Sequence, residues 1–251
     1  MIKCDTTAGS FRIFLRPDWS PIGAARLKSL VENKWFDGVT FNRVSTHFLV
    51  QFGIRPGGLN PAIPVPSSIL DDPPRPDIPF TNGIVSFAGS GRNSRGTEIF
   101  ITYGTQKGLG KRSWETPIGF VEEKDMNTVI NKLYSKYGDM PPWGNGPLPH
   151  KMHAQNGQEW LDQNYPLLTK IISCRVHKDE GGLRKIGLQN GRISSRGSTF
   201  RLKPYISTVV KEKSYFFTIV CFFLILFSCF VGWKCWSKEK VKKKKTGRGE
   251  Q

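Results

Sequence analysis

The stretch TFNRVSTHFLVQFGI, residues 40–54, is apolar enough to be buried, yet it sets Arg43 between its two apolar runs and Gln51 inside the second. Buried polar and charged groups are costly unless they are bonded, so both residues call for a reason. Around them, FDGVTFNRVS and HFLVQFGI read as a strand pair. Upstream, SFRIFLR alternates Phe11, Ile13 and Leu15 with Arg12 and Arg16, the period of a half-buried strand, and IKCD joins it through TTAGS as a hairpin. Between the two strand pairs, Ser20 followed by Pro21 marks a helix start. Ala24, Leu27, Leu30 and Val31 form its apolar stripe, which ends near Asn33.

Downstream, residues 55–82 contain eight of the 17 prolines, which predicts a long surface loop. IVSFA and EIFITY follow as strands around the turn-rich GSGRNSRGT, and PIGFV is a further short strand. Met126, Val129, Ile130, Leu133, Tyr134 and Tyr137 keep helical spacing, with Gly138 just past the end. LLTKIISCRVH supplies the last strand. Eight short strands and two separated helices do not alternate as a parallel α/β fold would. The expectation is a mainly β domain over residues 1–177: a closed eight-stranded antiparallel β-barrel capped by two α-helices.

Charge divides the chain further. The total is +17, but residues 1–177 hold 20 basic against 15 acidic side chains, whereas residues 178–214 and 234–251 each contribute +6. Between those basic segments, residues 215–233 (YFFTIVCFFLILFSCFVGW) form 19 positions without a charge, aromatic at both ends. At ~1.5 Å per residue this stretch matches a hydrocarbon core of about 30 Å. It is expected to be a single-pass transmembrane helix in contact with membrane lipid, preceded by a basic linker (178–214) and followed by a polybasic tail (234–251). KVKKKK then reads as a stop-transfer flank rather than a nuclear address.

The N-terminal MIKCDTTAGS has no apolar signal-peptide core. Either the helix is inserted as a tail anchor, or an upstream segment exists beyond this sequence. On sidedness the charge rule favours a lumenal barrel and a cytosolic tail, since the 15 residues after the stretch hold eight Lys and Arg and the 15 before it hold four. Of five cysteines, Cys221, Cys229 and Cys235 lie in or beside the apolar stretch, the last two as candidate acylation sites. Cys4 and Cys174 are left, and no disulfide framework or zinc spacing is expected from them.

Most enzyme signatures are missing. No glycine-rich phosphate loop opens a helix, and no Ser or Cys nucleophile sits in a recognisable turn. His150 and His153 lie in a proline-rich segment with no third ligand near, so neither metal nor cofactor is expected. The basic linker lacks interleaved aromatics and any recognition motif, so no nucleic-acid partner is expected.

Two blocks, TFNRVSTHFLVQFGI and NGIVSFAGSGRNSRGTEIFIT, resemble the signature blocks of the cyclophilin-type peptidyl-prolyl cis-trans isomerases, F-H-R-x(5)-F-x-x-Q-G-G and S-M-A-x(7)-G-S-Q-F-F-I. The likeness runs from about Ile2 to Val176 in the order of strands and helices as well as in motif. It implies a monomeric domain acting on proline-containing peptide segments of proteins. Prolyl isomerisation breaks no covalent bond; its barrier of ~18–20 kcal/mol is lost amide resonance as the C–N bond twists. A catalyst needs an apolar seat for the ring and a fixed donor for the lone pair that appears on the twisted nitrogen.

By this resemblance Arg43 is the donor and Gln51 orients it and the substrate backbone. Phe48, Leu49 and Phe100 line the proline pocket, with Leu109 fitting its loop, and Ala88 meets the residue before proline. The plainer alternative makes Arg43 a strand residue paired with a carboxylate and Gln51 a satisfied polar group. The sequence departs from the pattern at Asn42 (His in the family), Phe52 (Gly), Gly89 (Asn) and Glu98 (Gln). Trp114 falls out of register, and the loop LGKRSWETPIGF has no His. Glu98 is expected near the substrate, where its carboxylate would engage the Arg43 guanidinium. The main alternative function is a non-catalytic proline-binding adaptor.

Overall fold

β1 (Ile2–Thr6) and β2 (Gly9–Leu15) form the expected hairpin, in register from Ile2 opposite Ile13 to Thr6 opposite Gly9. Its alternation buries Ile2, Cys4, Phe11 and Ile13 on one face. The computed structural model describes residues 1–177. The linker, apolar stretch and basic tail expected over 178–251 lie outside the described residues, within which no helix is long and apolar enough to cross a membrane.

Six more strands complete one antiparallel sheet: β3 (Arg43–Ser45), β4 (Leu49–Phe52), β5 (Ile84–Phe87), β6 (Ile99–Thr102), β7 (Gly119–Phe120) and β8 (Ile171–Val176). The spatial order is β3-β4-β6-β5-β7-β2-β1-β8. The sheet is therefore an open, curled half-barrel rather than the closed barrel expected. β3 is only three residues long, and the chain ahead of it turns at Gly38 (φ +84). The two edges meet through an isolated bridge, Thr40 to Lys170, flanked by bonds from Phe41 N–H to Thr169 O (3.0 Å) and Ile171 N–H to Val39 O (2.8 Å).

The first helix, α1 (Pro21–Glu32), buries Ala24, Leu27, Leu30 and Val31 as its stripe predicts. Its cap differs from expectation. Ser20 makes no capping bond; the carboxylate of Asp72, from the proline-rich loop, accepts the N–H groups of Ile22 (3.0 Å) and Gly23 (2.8 Å) and the Ser20 hydroxyl. Arg95, fully buried, donates to the same carboxylate at 2.9 Å and to Leu70 O. A charged pair without solvent is tolerable only when its remaining donors and acceptors are bonded. Here the bonds of Nη1 and Nη2 tie the long loop to the start of α1, while Arg95 Nε has only a charge contact, 3.6 Å from Asp71 Oδ1.

The repeat over 126–137 does not make one helix. α2 (Glu123–Thr128) stops at Val129 (φ −130°, ψ −58°), a 3₁₀ turn covers Ile130–Lys132, and Leu133 is extended. The apolar spacing marks burial all the same, since Met126, Val129, Ile130 and Leu133 lie in the main core. Tyr134 and Tyr137 instead pack on each other, and Tyr137 on Tyr165. Two further short helices, α3 (Pro149–His153) and α4 (Gly157–Asn164), add to the two helices expected, joined by Ile54, Met152, Leu161 and Leu168.

Cys4 and Cys174 form a disulfide, contrary to the expectation of none. They are 170 residues apart in sequence but directly opposed in the β1–β8 pairing, and both are buried. Sequence separation hides a contact that only strand register creates.

Candidate active site

The pairing of β3 with β4 sets Arg43 directly opposite Gln51, and the pairing of β4 with β6 sets Gln51 opposite Phe100. Opposed residues share a face, so these three side chains form one row. Their neighbours Val44, Val50, Phe52, Ile99 and Ile101 point the other way, into the main core. Phe52, which interrupts the family's glycine pair, packs there against Phe36 and Phe41. Gly53 keeps the close approach: at φ +119° its Cα faces Thr97, whose carbonyl oxygen would lie 2.2 Å from any Cβ.

A second apolar cluster covers the site face of the sheet. Leu49 and Phe100 are buried in it, with Phe48, Ala88 and Leu109 packed against it, so the five apolar residues expected at the site come together. Sequence reading missed Trp19, Ile78, Phe80, Ile84 and Phe120 in the same cluster. Phe80 stacks on Phe100 at 5.8 Å. It arrives at the end of the proline-rich loop, where no period exists to signal burial.

The polar half of the site is a chain of four groups. Gln51 Nε2 donates to Glu98 Oε2 at 2.6 Å, and Gln51 Oε1 faces Arg43 Nη1 at 3.3 Å. Arg43 Nη2 donates to Asp139 Oδ2 at 2.8 Å, with Nε 2.7 Å from Oδ1 as a charge contact without hydrogen-bond alignment. The guanidinium also lies 5.4 Å from the centre of the Phe48 ring. Glu98 thus bonds Gln51, not Arg43 as expected; the carboxylate on Arg43 belongs to Asp139, which sequence reading missed. The plainer alternative is met in part, since Arg43 is indeed paired with a carboxylate. Burial pushes the Glu98 carboxyl above its usual range, opposed by the Gln51 bond and by His153.

Two departures explain each other. A Cβ on Gly89 would lie 2.7 Å from Trp114 Cδ1, so the indole fills the space beside residue 89. Trp114 sits in a 3₁₀ turn, Ser113–Glu115, with the Arg112 guanidinium 5.3 Å from its ring. Asn42 is buried ahead of β3. His150 and His153 occur on α3, and among the described residues no three His, Cys, Asp or Glu side chains are grouped to hold a metal ion.

A fixed guanidinium at the rim of an apolar floor, with no nucleophile in the row, suits a reaction in which a bond turns but none breaks. The model of the family described as cyclophilin type peptidyl-prolyl cis-trans isomerase/CLD matches residues 1–142, more than half of the chain. The chain belongs to that family. It is 31% identical over 102 residues to peptidyl-prolyl cis-trans isomerase-like 1 of Emericella nidulans, covering 40% of this chain and 63% of the relative. It is 29% identical over 131 residues to a peptidyl-prolyl cis-trans isomerase of Synechococcus elongatus, covering 51% and 85%. Among solved structures, a Cryptosporidium parvum cyclophilin type peptidyl-prolyl cis-trans isomerase crystallised in the presence of the dipeptide Ala-Pro is 18% identical, covering 71% of this chain and 99% of its own, with a TM-score of 0.49.

Proposed function

We propose that the protein accelerates cis-trans isomerisation of X-Pro bonds in protein substrates, at a membrane. The observation that carries this reading is the row Arg43–Gln51–Phe100 beside the apolar cluster of Phe48, Leu49, Ala88 and Leu109. The proline ring rests on Phe100 and Leu49, and the guanidinium donates to the imide nitrogen as its lone pair localises. That hydrogen bond strengthens only at the twisted geometry, so it lowers the barrier rather than merely holding the peptide. No cofactor enters this chemistry.

The membrane part rests on the uncharged stretch 215–233 and its basic flanks. The Cys4–Cys174 disulfide supports a lumenal location for the domain, since such bonds persist in oxidising compartments and are rare in the cytosol. A second reading, a proline-binding adaptor without turnover, draws on the Asp139 carboxylate that engages Arg43. Exchange NMR of a proline tetrapeptide with the full chain in detergent separates the two. Enzyme-dependent exchange that falls ~10²-fold in Arg43→Ala, about 2.7 kcal/mol of transition-state stabilisation, is expected. Peptide binding without exchange establishes the adaptor.

A further inference from the structure

Asp139 sits in a loop that fixes it from several sides. Gly138, at φ +68°, turns the chain, and its carbonyl accepts the N–H of Val44, the β3 residue next to Arg43, at 3.1 Å. The Asp139 carbonyl accepts Gly146 N–H at 2.8 Å, and Asn145 N–H closes on Tyr137 O at 2.9 Å. Gly144 packs so tightly that a Cβ there would lie 2.2 Å from Asp139 O. The side chain is aimed as well as placed: Oδ1 accepts Met140 N–H at 2.7 Å, leaving Oδ2 for Arg43 Nη2. Both partners are mostly shielded, with side-chain exposures of 19% for Arg43 and 13% for Asp139.

We infer that Asp139 is a positioning residue for Arg43, an inference that rests on the reading of Arg43 as the donor to the prolyl nitrogen. The carboxylate accepts a hydrogen bond from Nη2 and lies in charge contact with Nε, Gln51 Oε1 takes one hydrogen of Nη1, and the Phe48 ring lies beside the guanidinium. The group therefore cannot rotate about its own stem, and the outer hydrogens of Nη1 and Nη2 remain for the substrate. An arginine side chain otherwise carries substantial rotamer entropy. Fixing it before the peptide binds means that none of that freedom is lost in the transition state. An ion pair that only fastened the 138–146 loop to β3 would affect stability and leave the rate per folded molecule alone.

The test is a double-mutant cycle on the full chain in detergent, reading exchange rate, peptide affinity and melting temperature on the same samples. Asp139→Asn keeps an acceptor for Met140 N–H and removes the charge. It is expected to lower kcat/KM ~10-fold, with peptide Kd and Tm near the parent values, and to change nothing further in an Arg43→Ala background. Asp139→Glu, which keeps the charge but shifts the fork by a methylene, is expected to lose rate in the same direction and settles the matter should the Asn variant not fold. A parent or faster rate in the variant that folds, or an equal slowing with and without Arg43, overturns the inference. Arg43→Ala at the parent rate overturns instead the reading of Arg43 on which it stands.

Discussion

Arg43 shows how a strand position acquires distant partners. Its backbone belongs to a three-residue strand, but its side chain is held by residues 8 and 96 positions away, Gln51 and Asp139. Holding Nη1 on Gln51 and Nη2 on Asp139 at once depends on a planar fork, so Arg43→Lys should not restore what Arg43→Ala loses: an ammonium offers a point charge without that plane. Exchange rates of the two variants within a few-fold of each other are the expected result. Glu98 gives a second prediction at this scale. Burial raises its carboxyl pKa, so the fold favours the neutral form, and that contribution is present below the ordinary value of 4.5 and lost as pH rises through the raised one. Glu98→Gln, permanently neutral and still able to accept the Gln51 N–H, should melt higher than the parent at neutral pH, and the difference should vanish in acid. Arg43 and Gln51 were legible in the sequence because motif blocks are local. Asp139 was not, since nothing near residue 139 announces that its loop closes over β3.

At the scale of elements, period was read well and continuity less well. The stripe of α1 and the hairpin of β1 and β2 agree with their sequence patterns residue for residue. The repeat from Met126 to Tyr137 identified four buried side chains, Met126, Val129, Ile130 and Leu133, and two partly buried tyrosines, while the backbone broke at Val129. The proline-rich loop hid a capping residue. Asp72 performs at α1 what a side chain adjacent in sequence usually does, while also neutralising Arg95. Burial alone would raise its carboxyl; the bonds from Ser20, Ile22, Gly23 and Arg95 outweigh that and hold it below its usual range. Its contribution is therefore present above pH ~3.8 and lost as pH falls through the depressed value. Asp72→Ala strands a buried guanidinium and uncaps the helix, and a loss of ~3–5 kcal/mol is expected. Urea denaturation at neutral pH checks this: a shift in midpoint worth less than about 1 kcal/mol would mean that Arg95 finds another partner.

For the whole molecule, the strands were legible from the alternation of β2 and from short apolar runs bounded by turn residues at β4, β5 and β6, which are buried at every position. Closure and the disulfide were not, because both depend on which distant strands meet. The expectation of a membrane anchor yields its own measurement: the full chain should resist extraction by alkaline carbonate, and its first 177 residues should be protected from protease in sealed vesicles until detergent is added. Digestion without detergent would place the domain on the cytosolic side.

β8 ends the strand order and pairs with β1; on its other side only its first residue, Ile171, is bonded to backbone, at Gly38 and Val39, and the chain continues from its far end. Met1 and His177 adjoin there, their backbones bonded at 2.9 Å. A mechanical load applied at His177 would not spread over the domain; it would peel β8 from β1 one pair at a time, the geometry in which hydrogen bonds resist least. Three residues in, the peeling reaches Cys174 and its covalent link to Cys4. The tension then passes into the partner strand as shear. A tether pulling on this domain would thus strain its last few residues first, at the end of β8 away from the bonds that join Ile171 to the chain ahead of β3.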